Sequence, residues 1–290
     1  MNMEEIRVPR KVLTTASPGA RVTVSGFALH CVNPWEVEIV RSEVPLYFSH
    51  GIQLSRGATV LDVGANIGAF SAYTYARLGG DVRIFAFEPL PPIRAMLERN
   101  AKEFFHGRVT VLPYGLAAHE GELDFTYFPM ATVLSSALRN SQNNQEERVR
   151  LAKAFAEAIR QGGMGPRLQR LPSFAIRRFT EYRMRALRKT AAYRVRVRSL
   201  SAAIDEHDIK SIDLLKIDVE GGELAVLQGI KEHHWPRIRQ TVIEVDHWQT
   251  TYPRVKEILD SRNLTIHTEQ GPIHKAGDYG MVYATSAPIN

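Results

Sequence analysis

The regular alternation of short apolar runs with helical segments restricts the fold of this chain more than any other feature. Such runs, separated by helices of roughly 10 to 15 residues, favour a parallel sheet with right-handed crossover connections. The predicted strands are 58–63, 82–87, 108–113, 122–128, 212–217 and 239–245, with 263–268 and 279–285 as a closing pair. The predicted helices are 68–78, 91–103, 222–230 and 252–261. The sequence therefore predicts an α/β fold with a doubly wound, mainly parallel sheet.

Two segments depart from this alternation. Asn33-Pro34 is typical of a helix start and predicts an N-terminal helix over 34–48, after an irregular stretch over 1–25. Residues 135–195 are rich in arginine, show no strand-like run and include a predicted helix at 151–160. We therefore predict three parts: an N-terminal extension and helix (1–54), a core (55–134 and 199–290) and a basic helical lid insertion (135–198).

The charge of the chain is unevenly distributed. The net charge is +6, but residues 139–198 carry 16 lysines and arginines against four acidic residues, a balance of +12. The remainder carries −6, so an acidic body bears a basic segment. This asymmetry predicts an anionic partner, such as a phosphate-bearing small molecule, an acidic protein or nucleic acid. The alternative is a solvated helical face without a partner.

Three features bear on where the protein acts. No stretch approaches the roughly 20 apolar residues that cross a bilayer, and residues 1–12 lack the apolar core of a signal peptide. The single cysteine, Cys31, has no second cysteine to pair with in the chain, which fits a reducing compartment. We expect a soluble cytoplasmic protein with no membrane partner.

The segment VLDVGANIGAF (60–70) is the strongest local motif. A predicted strand ends near Asp62, a turn with Gly64 and Gly68 follows, and a helix begins there. Glycines let the backbone approach a ligand closely, and a helix start presents free N–H groups. The spacing differs from the G-x-G-x-x-G dinucleotide fingerprint, so a nicotinamide cofactor is not favoured.

The second predicted strand ends in FAFEP, which places Glu88 26 residues after Asp62. An acidic residue at this position can accept hydrogen bonds from both ribose hydroxyls of an adenosine. The alternative is a surface carboxylate before a turn at Pro89. The glycine loop upstream favours the ribose interpretation.

Four runs occur in the order and spacing of a known family: LDVGANIG, FEP, LLKIDVEGGELAVLQG and VIEVDHW. In these runs the chain resembles FkbM-type methyltransferases over residues 55–130 and 199–285. The resemblance implies a class I, Rossmann-like fold, the cofactor S-adenosyl-L-methionine and methyl transfer, usually to oxygen. The stretch LHCVNPWEVEIVRSEVPLYF resembles, more loosely, the O-methyltransferase domains of bacterial polyketide synthases.

The resemblance also assigns residues to the cofactor. Glu88 becomes the ribose ligand, and the stretch 114–117 is expected to border the adenine. The implied cofactor-binding residues are Asp62, Gly64, Asn66, Gly68, Glu88, Leu116, Ala117 and Asp218. Asp218 and Glu220 follow the strand predicted at 212–217, at the sheet edge where open parallel sheets bind ligands.

His247 is the best candidate for a catalytic base, since it follows a strand that ends at the same edge. Imidazole exchanges protons near neutral pH, and a carboxylate partner would orient its ring. Glu220 is the preferred carboxylate partner of His247, with Glu244 and Asp246 as alternatives. Asp218 is the third candidate catalytic residue. The alternative for His247 is a surface histidine at a strand end.

Two other histidine positions give weaker cases. His30 lies beside the predicted N-terminal helix, where it could contact substrate. His233-His234 precedes Trp235-Pro236 and is predicted to lie in a loop.

The same acidic residues would suit a hard cation. Asp218, Glu220 and Glu244, with His247, could surround Mg²⁺, which would lower the pKa of a bound hydroxyl. Cysteine and histidine spacings typical of zinc are absent from the sequence. The sequence therefore allows Mg²⁺ but does not favour a metal.

The leading hypothesis is an O-methyltransferase acting on a hydroxyl or enol of a polyketide-type substrate. A phosphopantetheine arm on an acidic acyl carrier protein would explain the basic segment, because guanidinium groups match phosphate oxygens. The alternatives are a Mg²⁺-dependent O-methyltransferase of a sugar or other small molecule, an RNA-binding methyltransferase and a non-catalytic binding module. No RNA-binding module is visible in the sequence, so no nucleic acid partner is expected.

Overall fold

The computed structural model describes residues 19–129, 132, 135, 172–176, 178, 190–270 and 278–286. The predicted helix at 151–160 and most of the predicted lid insertion lie outside these ranges.

In the core of the chain the described strands alternate with helices, whereas residues 20–31 and 109–127 form successive strands with no helix between them. The strands are β1 Ala20–Val24, β2 Phe27–Cys31, β3 Ala58–Val63, β4 Val82–Phe87, β5 Val109–Leu112, β6 Gly115–Leu116, β7 Gly121–Tyr127, β8 Ala191–Arg198, β9 Leu214–Ile217, β10 Gln240–Asp246, β11 Leu264–Glu269 and β12 Tyr279–Ser286. The α-helices are α1 Pro34–Glu43, α2 Ala69–Arg77, α3 Pro91–Phe104, α4 Leu200–Glu206, α5 Glu223–Gln228 and α6 Trp248–Asp260. Two 3₁₀ helices span Val44–Phe48 and Glu232–Arg237.

Seven strands form the central sheet, in the order β11-β12-β10-β9-β3-β4-β5. The pairs from β10 through β5 are parallel, while β12 is antiparallel to both β10 and β11. The chain order reverses between β3 and β9, and ligands bind at such a switch point in open α/β sheets. The prediction of a doubly wound, mainly parallel sheet is confirmed.

Both faces of this sheet are covered, which explains its apolar strands. Along β3, Val60 packs into the core on one face, and Leu61 and Val63 pack into the core on the other. Burial on both sides makes a strand sequence almost continuously apolar rather than alternating.

A three-stranded sheet, in the order β6-β8-β7, corrects one prediction. Residues 135–195 were expected to contain no strand, yet β8 starts at Ala191 and pairs antiparallel with β7. The side chains of Val195 and Val197 are buried, while Arg194 and Arg196 beside them are exposed. The two-residue alternation of a half-buried strand is therefore present, although the arginines obscure it.

The N-terminal part also differs from prediction. Residues 20–31 form a hairpin of β1 and β2 where an irregular stretch was expected up to residue 25. The predicted helix over 34–48 divides into α1 and a 3₁₀ helix, with Pro45 near the start of the latter. Asn33 takes the N-cap position, but its side chain makes no cap and donates to the Pro129 carbonyl at 2.8 Å.

Within the described ranges, none of the helices combines the length and apolar character that crossing a bilayer requires.

Candidate active site

Gly64 lies where β3 and β9 diverge, and this position requires glycine. Its φ is +77°, and a Cβ there would lie 1.8 Å from the carbonyl oxygen of Asp218. The amides of Gly64 and Ala65 both donate to the carbonyl of Phe87, at 3.1 and 3.0 Å. The turn after β3 is therefore held against the ends of both neighbouring strands, and its backbone faces open space.

That open space is a cavity of about 560 Å³ at the carboxyl edge of the sheet. The turns after β3, β4, β9 and β10 line it, together with α1 and the first 3₁₀ helix. Of the predicted cofactor residues, the cavity wall includes Gly64, Asn66, Glu88, Leu116, Ala117 and Asp218. The structure thus brings residues from four distant parts of the sequence to one cavity.

Asp62 has a different position from the one predicted. It is fully buried beneath the cavity wall, where Ser71 Oγ donates to its Oδ2 at 2.7 Å. Its Oδ1 lies 3.2 Å from Nζ of Lys216, which is also buried. Asp62 therefore supports the glycine turn from below, and its assignment to the cofactor site remains a prediction.

Lys216 was not singled out from the sequence. Its Nζ donates to the Gly64 carbonyl at 2.8 Å and lies 3.5 Å from Oδ2 of Asp218. Burial alone would lower the pKa of Lys216, but the charges of Asp62 and Asp218 outweigh it and hold that pKa above its ordinary value. The lysine therefore stays charged and binds the two strand ends together.

Gly68 also lies off the cavity wall. Its φ is +91°, and a Cβ there would lie 2.8 Å from Cδ1 of Leu97. The second glycine of the motif therefore lets α3 pack closely against the start of α2.

Glu88 is placed to accept hydrogen bonds from a ligand. It is only 5% exposed, and its two carboxylate oxygens accept from the amides of Asn66 and Leu90, at 3.1 and 2.9 Å. Burial raises the pKa of Glu88 to about 7, against the lowering effect of these two hydrogen bonds. Each oxygen keeps a second lone pair, which suits the ribose diol that the sequence predicted.

Tyr47 joins the acidic residues of the site, a role that was not predicted from the sequence. Its hydroxyl lies 2.9 Å from Oδ2 of Asp218 and 3.3 Å from Oε2 of Glu244, to which it can donate. Burial and the charge of Asp218 raise the pKa of Glu43 to about 7, and they hold the pKa of Glu244 well above its ordinary value. The acidic groups beside Tyr47 are therefore less readily ionised than free carboxyl groups.

His247 lines the cavity but is exposed to solvent. It is the N-cap residue of α6, with a left-handed φ of +51°. His247 and Glu220 both belong to the cavity wall. The base role of His247 and its pairing with Glu220 remain predictions.

His30 is not on the cavity wall. It is buried, its ring Nε2 lies 2.8 Å from Oε2 of Glu103, and its amide donates to Asn100 at 2.7 Å. It therefore fastens β2 to α3, and a substrate contact at His30 remains a prediction.

The carboxylates proposed for Mg²⁺ are not gathered around one point. Among the described residues, the ligand atoms that all lie within 4.8 Å of one another belong to Asp205, His233 and His234. Asp218, Glu220 and Glu244 do not form such a group. Binding of Mg²⁺ by Asp218, Glu220 and Glu244 therefore remains a prediction from the sequence alone.

Three features together define a class I methyltransferase: the strand order of the sheet, the glycine turn at its switch point and the acidic residue Glu88 after β4. The chain belongs to the FkbM methyltransferase family, because residues 62–265 match the domain described as "Methyltransferase FkbM domain". The family resemblance predicted from the sequence motifs is confirmed.

Two curated relatives are similar to this chain over very different fractions of their own length. AMB antimetabolite synthetase AmbE of Pseudomonas aeruginosa is 36% identical over 224 residues, which cover 76% of this chain and 10% of that protein. The 31-O-demethyl-FK506 methyltransferase FkbM of Streptomyces tacrolimicus is 31% identical over 264 residues, which cover 90% of this chain and 94% of that protein. The chain therefore spans about a tenth of the first relative and nearly all of the second.

Among solved structures, the chain is similar to methyltransferase FkbM from Methylobacillus flagellatus KT. The two share 16% sequence identity and a TM-score of 0.49, over 86% of this chain and 53% of that one.

Proposed function

We propose that this methyltransferase transfers the methyl group of S-adenosyl-L-methionine to a hydroxyl or enol oxygen of a polyketide-type small molecule. The observation that carries the proposal is the juxtaposition of Gly64 and Glu88 on one cavity wall. A Cβ at Gly64 would collide with the turn after β9, and Glu88 offers hydrogen-bond acceptors to a ribose. When bound, the cofactor supplies an electrophilic methyl group.

The protein's own residues have four tasks in this reaction. The glycine turn and Glu88 hold the adenosine, and the apolar side chains of Val37, Val40 and Phe125 exclude water from the cavity they line. Holding the acceptor oxygen in line is worth on the order of 7–11 kcal/mol in the best model systems. The remaining task is to receive the hydroxyl proton.

His247 is the residue we propose as proton acceptor, because it lines the cavity with solvent beside it. The pair formed by Asp218 and Glu244, bridged by Tyr47, is the alternative acceptor. His247→Ala is expected to lower kcat by roughly 10²–10⁴-fold, the usual contribution of a positioned base. Cofactor affinity should stay unchanged, and His267→Ala, at an exposed histidine on β11, is the control.

The comparison variant for this test is Glu244→Gln. Full activity in His247→Ala, together with a large loss in Glu244→Gln, would move the base role to the carboxyl pair. Equal calorimetric titrations with S-adenosylhomocysteine for all three variants would show that the cofactor site is intact in each.

Two observations support an oxygen acceptor on a polyketide-type molecule. The relative that this chain spans almost completely is named as a methyltransferase of 31-O-demethyl-FK506. The cavity wall carries Glu43, Asp218, Glu220 and Glu244 against few basic groups, which disfavours an anionic acceptor there. A neutral hydroxyl meets both conditions.

We further propose that the acceptor is delivered on an acyl carrier protein, as the basic segment at 139–198 suggests. The test compares one hydroxyacyl acceptor as a free thioester and as a carrier-bound thioester, with S-adenosylmethionine in both cases. Mass spectrometry should find one added methyl group, on oxygen, with the carrier-bound form reacting faster. Equal rates on both forms would contradict delivery by a carrier, and methylation on nitrogen or carbon would contradict the oxygen acceptor.

A further inference from the structure

A second cluster of polar side chains lies at the sheet edge opposite the cavity. Asp205 is near the end of α4, which precedes β9, and His233 and His234 belong to the 3₁₀ helix that precedes β10. Both segments therefore lead into the amino ends of parallel strands, whereas the cavity lies at the carboxyl ends. The predicted loop at His233-His234 is a 3₁₀ helix instead, because its carbonyls accept locally, as in the bond from the His234 amide to Lys231.

The three side chains lie close enough together to hold one ion. Nε2 of His234 lies 3.0 Å from Oδ1 of Asp205, and the ring centroids of His233 and His234 are 4.1 Å apart. One ligand atom from each of the three residues lies within 4.8 Å of the others. Asp205 and His233 are exposed while His234 is fully buried, so an ion can reach the cluster from solvent and meet a fixed ring.

The buried ring is oriented by a group behind it. Nδ1 of His234 lies 2.8 Å from Oγ of Ser201, a residue with no solvent exposure, and the Lys231 amide donates to that same oxygen at 2.7 Å. Without an ion, Nε2–H donates to the Asp205 carboxylate, and Nδ1 can accept from the Ser201 hydroxyl. An ion bound at Nε2 requires the other tautomer, in which Nδ1–H donates to Ser201 Oγ. Metal-binding histidines characteristically donate their second ring N–H to such a partner.

We propose that Asp205, His233 and His234 bind one divalent transition-metal ion, of which Zn²⁺ is the best match. Two imidazole nitrogens and one carboxylate oxygen are a typical set of protein ligands for zinc, with water as the fourth. Imidazole ligands disfavour Mg²⁺ and Ca²⁺, which prefer oxygen. The ion would tie α4 to the 3₁₀ helix on the face away from the cavity, so this site is independent of the proposed methyl transfer.

Zinc sulfate alone is the probe, titrated into the full chain in competition with a chromophoric zinc chelator. One zinc ion should bind per chain and raise the melting temperature, since a ligand that binds only the folded state stabilises it. His233→Ala removes an exposed ligand, so the variant should fold normally. We expect it to weaken zinc binding by at least about tenfold, the lower end of the loss seen when only an outer partner is removed.

The matched control is His267→Ala, which removes another exposed histidine, on β11. It should leave zinc affinity unchanged, whereas Asp205→Ala should weaken it as His233→Ala does. The proposal is overturned if the unmodified chain does not take up zinc. It is equally overturned if His233→Ala and Asp205→Ala both bind zinc as tightly as the unmodified chain.

Discussion

At the scale of single residues, the site depends on the buried ion pair of Lys216 and Asp62. This pair was not predicted from the sequence. Lys216 interrupts the apolar strand LLKI, and burial of a lysine in such a run is the one signal that could have identified it. In the structure it neutralises Asp62 and holds the Gly64 carbonyl. The motif aspartate therefore acts through the backbone of the turn.

The pair gives a stability prediction. Lys216→Met leaves the carboxylate of Asp62 buried without its counter-charge, which should lower the free energy of unfolding by about 3–5 kcal/mol. Urea denaturation measures this change. Lys210→Met, at an exposed lysine paired with Asp208, is the control and should change the free energy of unfolding by less than about 1 kcal/mol. Similar small changes in both variants would contradict the role given to Lys216.

Glu88 gives a prediction about pH. Its pKa is raised from 4.5 to about 7, so the ligand-free protein protonates this carboxyl group as the pH falls through 7. The ionised form is the better acceptor for ribose hydroxyls, so affinity for S-adenosylhomocysteine should fall below pH 7, by at most about tenfold per pH unit. In Glu88→Gln the affinity should be lower, and this part of the pH dependence should be absent.

The stability of the ligand-free protein should change in the opposite direction. Because the folded-state pKa of Glu88 lies above 4.5, the folded state binds the extra proton between about pH 4.5 and 7. The contribution of Glu88 to stability is therefore greatest below that range and declines as the pH rises through it.

The affinity measurement decides the role of Glu88. If cofactor affinity changed with pH in the same way in Glu88→Gln as in the unmodified chain, the assignment of Glu88 as ribose ligand would be contradicted.

At the scale of secondary structure, most of the central sheet could be predicted, because its strands are short, apolar and separated by helices. The elements that were missed are half-buried. In β8 the arginines on the solvent side conceal a buried face of Val195 and Val197. Burial on one side only is a weak signal, and it depends on a partner strand, here β7, that is distant in the sequence.

The segment that carries Tyr47 shows a second limit of the sequence. A helix was predicted across it, but the chain tightens into a 3₁₀ helix at Val44 and turns Tyr47 toward Asp218. The predicted helix gave no indication that the Tyr47 hydroxyl contacts the carboxylate of Asp218, which lies 171 residues later in the sequence. Tertiary contacts decide such encounters, so the glycine turn and Glu88 were predictable while Tyr47 and Lys216 were not.

Tyr283 anchors this 3₁₀ helix to the sheet, which leads to a third prediction. Its hydroxyl donates to the Leu46 carbonyl at 3.0 Å, one residue before Tyr47. Tyr283→Phe should therefore reduce the free energy of unfolding by about 1 kcal/mol, the usual net value of one hydrogen bond. Thermal denaturation measures this change, and Tyr252→Phe, on α6, is the control, because Tyr252 contributes a ring stacked on Trp248. An unchanged melting temperature in Tyr283→Phe would show that this hydrogen bond does not stabilise the fold.

At the scale of the whole molecule, charge is divided between two regions with different tasks. The cavity wall is acidic, while the excess positive charge lies in residues 139–198, most of which fall outside the described ranges. A neutral acceptor group in the cavity and an anionic carrier on the basic segment would satisfy both regions. We therefore expect the rate of methylation of a carrier-bound acceptor to fall as salt is added, while the affinity for the cofactor stays the same.

The central claim is that the turn at Gly64 and the carboxylate of Glu88 form a cofactor site. Calorimetric titration with S-adenosylhomocysteine, with and without Mg²⁺, tests it most directly, using Gly64→Ala and Gly57→Ala as a matched pair. Both glycines have φ near +80°, but a Cβ at Gly57 meets nothing within 4 Å, whereas one at Gly64 meets Asp218. The account predicts micromolar binding to the unmodified chain without Mg²⁺, retained in Gly57→Ala and lost in Gly64→Ala. No binding to the unmodified chain in either condition, or equal binding to both variants, would contradict it.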